Sequence, residues 1–252
     1  LIELPQVIGH RGVGGLAPEN TLAGFRAAAR LGVAFVEFDI RLSADHRPVL
    51  MHDATIDRTT DGSGAVADLT LDEIAAHDAG RWFGPDFSGE VVPTLEEALD
   101  LLEGLGIGAN IELKPETGNE ALLAGAACRI IEEMGLSRSV LVSSFSSAAL
   151  AAARAASPAL PLGLLVDAIP EDWRAQAEAV GAATIHVRHD RLSRARVAEF
   201  RAAGYRVLAY TVNHAGRLRE LDGWGVTSVF TDFPDRLAGF ASKARSAIKA
   251  DS

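Results

Sequence analysis

The sequence predicts an α/β fold on a parallel sheet, and three observations carry that prediction. Short β-rich runs alternate with alanine-rich helical stretches along the 252 residues, an order that joins parallel strands through helices. Nine strand candidates are present, but only residues 42–47 separate the second from the third. That is too few for a crossover helix, so those two strands form an antiparallel hairpin and eight parallel strands remain. Eight parallel strands close a TIM (β/α)8 barrel, and about 250 residues is its usual length. The length alone would also admit two small domains; the strand count selects one.

In chain order the strands are read at 6–10, 34–41, 48–52, 108–113, 139–145, 160–166, 184–188, 206–212 and 228–231, from β-rich runs bounded by turn residues. A helix over 21–31 takes Asn20 as its N-cap, places Leu22 and Phe25 inward and stops before Gly32. Thr94 precedes a helix over 95–103, with Glu97 as its capping-box partner. Ser193 caps a helix over 194–203, which Gly204 ends. A hairpin turn centred on Asp45-His46 sets His52 opposite Asp39; a slip of one residue would turn every side chain to the other face. Residues 54–93 are rich in Asp, Gly and Thr, with one helical candidate at 72–79. They read as a small insertion after the second barrel strand, covering one end of the barrel, within a single domain of 1–252.

Composition excludes several classes of function. Hydrophobic residues at 48% and charged residues at 23% describe a globular chain, not a disordered or fibrous one. A formal net charge of −10 repels polyanions, which argues against nucleic acid or an anionic membrane as partner and leaves a small-molecule substrate. The single cysteine, Cys128, rules out an intramolecular disulfide framework and fits a reducing, cytoplasmic setting. The longest uncharged stretch, 139–153, is rich in Ser and Ala and stops at Arg154, so no integral membrane association is expected. The chain begins at Leu1, which leaves a removed leader open.

Chemistry enters through strand periodicity. In Val36-Glu37-Phe38-Asp39-Ile40-Arg41 the polar residues share one face and the apolar residues the other. Since the apolar face of a barrel strand meets the helices, Glu37 and Asp39 point inward. Ile111-Glu112-Leu113-Lys114 sends Glu112 and Lys114 inward from another strand. Barrel interiors normally hold Val, Ile and Leu, and three inward carboxylates stay ionised together only beside a cation. An all-oxygen donor set suits Mg²⁺ or Ca²⁺ better than zinc. The competing reading pairs these carboxylates with Arg and Lys at the barrel mouth.

Gly9-His10-Arg11-Gly12 ends the first strand, followed by Gly14 and Gly15. His10 then sits at the carboxyl end of a strand, where barrel catalytic residues gather, and Arg11 offers a planar fork to a phosphate. His52 returns to the same end, and two imidazoles beside a phosphate suit general acid and general base. With a divalent cation the set of Glu37, Asp39, Glu112, Arg11, Lys114 and a phosphodiester is neutral. Without it the set is doubly negative, and a phosphate 4 Å from an uncompensated like charge loses roughly 4 kcal/mol at an effective dielectric of 20.

Taken in order, His10-Arg11-Gly12, Pro18-Glu19-Asn20-Thr21, Glu37-Phe38-Asp39, His52-Asp53 with Asp57-Arg58-Thr59-Thr60, Pro93-Thr94-Leu95-Glu96-Glu97, Glu112-Leu113-Lys114 and Thr231-Asp232 resemble the signature of the glycerophosphodiester phosphodiesterase family. The resemblance covers essentially the whole chain. It implies a TIM barrel with a small insertion and hydrolysis of glycerophosphodiesters to glycerol 3-phosphate and an alcohol. It further implies Glu37, Asp39 and Glu112 as metal ligands, His10 and His52 as the acid/base pair, and Arg11 and Lys114 as phosphate binders. Two positions depart from the pattern. His46 stands where the family usually has Gly, so it must take a positive φ. Tyr210 stands where many members carry Trp, at the alcohol side of the pocket.

Further candidates are weaker. Trp82 and Phe83 wall the alcohol pocket or pack the insertion onto the barrel. Ser143 and Phe145 end a barrel strand beside the site. His186 and Arg188 share a face, taken as inward. Glu19 orients Arg11 or favours the helix start by its charge. His77 and His189 read as surface residues and His214 as a loop residue, and residues 242–252 read as a solvated end with a small basic stripe. Two other functions share the barrel: a phospholipase-type enzyme acting on lipid head groups, marked by an apolar or basic ridge at the mouth, and a silent phosphate- or partner-binding barrel, marked by loss of a matched residue.

Overall fold

A computed structural model describes residues 2–237; the predicted basic stripe at 242–252 lies outside the described residues. Nine strands form one sheet: β1 (Val7–Gly9), β2 (Phe35–Leu42), β3 (Pro48–Leu50), β4 (Gly108–Leu113), β5 (Val140–Ser144), β6 (Leu162–Val166), β7 (Thr184–Arg188), β8 (Arg206–Tyr210) and β9 (Ser228–Thr231). Their order is β1-β9-β8-β7-β6-β5-β4-β2-β3, and a further β1–β2 pairing closes the ring. Eight parallel strands make a TIM barrel, and β3 lies outside it, antiparallel on β2. The β1–β2 seam is a single pair, Gly9 with Val36, because β3 occupies the remaining edge of β2.

Among the described residues, eight α-helices accompany the strands: α1 (Leu22–Arg30), α2 (Leu71–Ala75), α3 (Leu95–Leu105), α4 (Glu120–Glu133), α5 (Ser147–Ala156), α6 (Trp173–Ala179), α7 (Arg194–Ala202) and α8 (Ala215–Trp224). Local chemistry starts them. Thr94 and Glu97 close the capping box of α3, and Ser193 accepts from the Arg196 amide at α7. An unforeseen capping box, Thr70 with Glu73, starts α2. At α1 the cap is Thr21, not Asn20. Asn20 instead adopts φ 55° and turns its amide toward the barrel.

The outward faces of the strands pack on the helices. Phe38 and Phe25 are fully buried with ring centroids 5.3 Å apart and tilted, a pair that contributes about 0.5–1.5 kcal/mol beyond its area. Inside the lower barrel, Ile8, Phe35, Leu141, Leu208 and Phe230 form a separate apolar plug. After β3 a third cluster forms, in which Ile56, Val66, Ile74 and Val92 pack on Val49 and Met51.

The hairpin corrects one expectation. Its pairs are Ile40 with Leu50, Arg41 with Val49 and Leu42 with Pro48, a register shifted by one residue. Ser43 and Arg47 close a three-residue loop in which His46 takes φ 61°, the left-handed position of a bulged turn. Met51, not His52, therefore faces Asp39, and its amide donates to the Asp39 carbonyl at 3.1 Å. His52 lies beyond the strand and reaches the mouth by another device: the Arg41 guanidinium donates to its carbonyl at 3.0 and 2.9 Å.

Candidate active site

Strand alternation aims the chemistry. Glu37 and Asp39 face into the mouth, buried to 3% and 1% exposure, and the β2–β4 register sets Asp39 beside Glu112. One carboxylate oxygen from each of Glu37, Asp39 and Glu112 lies within 4.8 Å of the other two. Asn20 fixes Asp39 from both sides: its amide donates to Oδ2 at 3.0 Å and its carbonyl accepts the Asp39 N–H at 3.2 Å. Glu37 accepts the Arg11 backbone N–H at 2.8 Å. Arg11 presents that N–H from a left-handed conformation, φ 51°. Gly9 permits the tight turn there, since a Cβ at that position would stand 2.0 Å from the Gly12 carbonyl oxygen.

Crowding splits the three carboxyls. Burial and the nearby Asp39 charge push Glu37 up to about 7, and the same two causes push Glu112 up to about 8. Asp39 falls to about 2: burial opposes its charge, but Lys114 and Arg11 outweigh that. Lys114 Nζ lies 2.6 Å from Glu112 Oε1 and 3.4 Å from Asp39 Oδ1, and Arg11 Nε lies 3.5 Å from Asp39. The ion pairs of the competing reading thus exist, yet two cations answer three carboxylates. The all-oxygen donor set fits a hard divalent ion, which would take the place of the protons that crowding keeps on Glu37 and Glu112.

Each histidine is held through Nδ1 by an aspartate. His10 Nδ1 lies 2.6 Å from Asp232 Oδ1, and Asn213 donates to the other Asp232 oxygen at 2.7 Å. His52 Nδ1 lies 2.6 Å from Asp53 Oδ1. Both rings therefore turn Nε2 toward the cavity. Their environments differ in sign. Burial lowers the His10 pKa, but the Asp232 hydrogen bond and the Glu37 charge more than offset it, so the net shift is upward. For His52, burial and the neighbouring cations Lys114 and Arg11 outweigh Asp39 and Asp53, so the net shift is downward.

A clamp joins the two sides of the site. Arg58 donates from Nε to Asp53 at 2.6 Å, and from both Nη atoms to Glu19 at 2.9 and 2.8 Å. Glu19 in turn accepts from Arg11 Nη1 at 2.8 Å, the orienting contact anticipated for it. The roles of Asn20, Asp53, Arg58, Asn213 and Asp232 escaped the sequence reading. For Asp232 a signal existed: it follows the carboxyl end of a barrel strand, where side chains meet the mouth.

A cavity of 170 Å³ opens among these groups, lined on one side by His10, Arg11, Glu37, His52, Glu112 and Lys114. Phe145, Tyr210 and Phe230 add apolar lining, with Lys114 Nζ 5.6 Å from the centre of the Phe145 ring. Tyr210 stands edge-on to Phe145 at 6.1 Å and donates its hydroxyl to the Val166 carbonyl. His186 reaches the cavity, while Arg188 at the rim pairs with Asp167 and Asp190. Ser143 is buried and accepts from Asn110. Trp82 does not line the cavity: it stacks edge-on against Phe83, which stacks on Phe87, and its indole N–H donates to the Ala79 carbonyl. His77 and His189 are half-buried, bonded to Asp61 and Arg217 respectively, and His214 is exposed.

Residues 10–236 match the model of the glycerophosphoryl diester phosphodiesterase family. A glycerophosphodiester phosphodiesterase of Caldanaerobacter subterraneus subsp. tengcongensis is 33% identical over 94% of this chain and 98% of its own. An Oleispira antarctica phosphodiesterase, solved in complex with the product sn-glycerol-3-phosphate, superposes with a TM-score of 0.91 at 38% identity, covering 95% of this chain and 98% of that one. A glycerophosphodiester phosphodiesterase from Agrobacterium tumefaciens superposes with a TM-score of 0.80 at 29% identity, over 94% of this chain and all of that one.

Proposed function

The chain belongs to the glycerophosphoryl diester phosphodiesterase family, and on that premise we propose how its barrel mouth hydrolyses a glycerophosphodiester to glycerol 3-phosphate and an alcohol. The observation that carries the reading is the pair of aspartate-anchored histidines facing one buried carboxylate trio. Glu37, Asp39 and Glu112 would hold one divalent ion, Mg²⁺ or Ca²⁺, which would supply Lewis-acid polarisation of the phosphate oxygens. Arg11 and Lys114 neutralise and orient the phosphate from the protein side.

The opposed shifts of the histidines support opposite roles for them. His10, raised, carries the proton at Nε2 and gives it to the leaving oxygen as the P–O bond breaks. His52, lowered, is neutral and takes the proton of the attacking hydroxyl at Nε2. That hydroxyl belongs to water or to the neighbouring carbon of the glycerol unit. The second route leaves a cyclic phosphate, visible by phosphorus NMR, before hydrolysis completes. Tyr210 lines the alcohol side, whereas Trp82 is dropped from the substrate set because its indole packs within its own segment. Residues 54–93 are taken as an insertion within a single domain.

Among the described residues no helix is long and apolar enough to cross a membrane. A cytoplasmic setting is inferred from the single, buried Cys128. Steady-state rates on a panel of glycerophosphodiesters, with chelator-treated enzyme reloaded with Mg²⁺ or Ca²⁺, test the reading. Turnover should vanish on chelation and return with one of the two ions. Undiminished turnover by His52→Ala would overturn the assignment of the base.

A further inference from the structure

Below the carboxylates the cavity ends on two polar side chains that the chemistry above leaves unused. Asn110 precedes Glu112 by two residues on β4, so it faces inward one step deeper, about 7 Å along the strand. It is 1% exposed and donates to Ser143 Oγ at 2.9 Å, while its Oδ1 has no partner. His186 on β7 is fully buried; its Nε2 lies 2.8 Å from Thr184 Oγ1, and its Nδ1 has no partner. Both residues line the cavity. The imidazole occupies its position because β6 carries Gly163 there: a Cβ would stand 2.5 Å from His186 Nε2.

Leaving a buried polar atom unpaired is costly, so two in the lining of one cavity call for a ligand that pairs them. Burial drives the His186 pKa down to about 3, which keeps the ring neutral, with one nitrogen a donor and the other an acceptor. In the tautomer where Thr184 donates to Nε2, the unpartnered Nδ1–H is a donor, while Asn110 Oδ1 is an acceptor. A donor and an acceptor together complement a hydroxyl, which is both. The depth of one inward step below Glu112 suits a hydroxyl carried two or three atoms from a phosphate held at the trio.

We propose that Asn110 and His186 form a hydroxyl-reading floor that selects the polyol half of the substrate and leaves the other alcohol to project from the mouth. The proposal rests on the diesterase reading. Its chemistry predicts rejection of substrates lacking the hydroxyl, because both floor atoms would then be desolvated without a partner.

Calorimetric binding of sn-glycerol 3-phosphate and of n-propyl phosphate, which has the same carbon chain without hydroxyls, reads the floor without turnover. The unsubstituted protein should prefer glycerol 3-phosphate by about 10- to 100-fold. His186→Asn retains a polar atom at the Nδ1 position and should keep that preference. His186→Gln retains one at the Nε2 position and should lose it, as should Asn110→Ala. In kinetics, the kcat/KM ratio of glycerophosphocholine to bis(p-nitrophenyl) phosphate should fall by the same factor in the two variants that lose the preference. No preference in the unsubstituted protein would overturn the floor, as would an unchanged ratio in both deficient variants. So would retention by His186→Gln with loss by His186→Asn, which would assign His186 to its Thr184 bond alone. Failure to hydrolyse any diester would refute the diesterase reading by itself, since the binding preference is measured independently.

Discussion

Loading the carboxylate trio with a divalent ion should drive protons out of the protein. Raised to about 7 and about 8 by burial and the Asp39 charge, Glu37 and Glu112 together hold on the order of one proton at pH 7. A cation binds only their ionised forms, so it must displace those protons. Affinity therefore falls with acidity, by about tenfold or more from pH 7 to pH 6. Calorimetric titration of chelator-treated protein with Mg²⁺ or Ca²⁺, in two buffers of different protonation enthalpy, gives the proton count directly. In Glu112→Gln the count should drop below about 0.5, because one proton is removed and the crowding of Glu37 is relieved. A count near zero in the unsubstituted protein would refute the reasoning. It would mean that Arg11 and Lys114 already satisfy all three carboxylates and that the trio is an ion-pair cluster.

The same shifts make the chelated protein lose stability as pH rises from about 5 to 8, since both carboxyls bind protons more tightly folded than unfolded; the rise in Tm on adding metal should be larger at pH 8 than at pH 6. Arg58→Ala removes the fork that holds both Asp53 and Glu19. Because Arg58 is 45% exposed, stability should fall by no more than about 1 kcal/mol, while kcat/KM falls about tenfold or more, and Arg58→Lys should not restore it because one ammonium cannot span both partners. Asp232→Asn removes the carboxylate charge that helps raise His10, so the alkaline limb of the kcat/KM profile should move to lower pH; an unmoved limb would clear His10 of the acid role. Phe38→Ala should cost about 3–5 kcal/mol in urea denaturation, and a loss under 1 kcal/mol would show that the outward face of β2 is poorly packed.

What the sequence disclosed was whatever short-range chemistry determines. A period of two placed Glu37, Asp39 and Glu112 inward, and the side chain three residues beyond Thr94 announced its capping box. The strand count, with one connection too short for a helix, specified the barrel. Misreadings arose where neighbours competed or where distance hid the partner. Asn20 and Thr21 are both good caps, and only the pull of Asp39 on the Asn20 amide decides between them. The hairpin slipped by one because a three-residue loop with His46 left-handed fits where a two-residue turn was assumed. Trp82 found its partners in Phe83 and Phe87, a local stack that aromatic composition does not reveal. Asn110 lay in step with Glu112 and was legible in principle, but a lone amide gives no chemical signal until its unpaired oxygen is seen.

His10 and Asp232 are 222 positions apart in the chain yet share one 2.6 Å bond, because β1 pairs with β9 to close the ring. The His10–Asp232 pair, the proposed acid, is thus assembled from the ends of the first and last strands of the barrel. A ribosome-bound chain carries His10, His52 and the carboxylate trio long before Asp232 emerges. Until the final strand docks, the ring is open as well as His10 unanchored, so a half-made enzyme should stay silent. Activity in a translation extract is then a direct clock for ring closure, and a chain stalled before β9 should accumulate without hydrolysing anything.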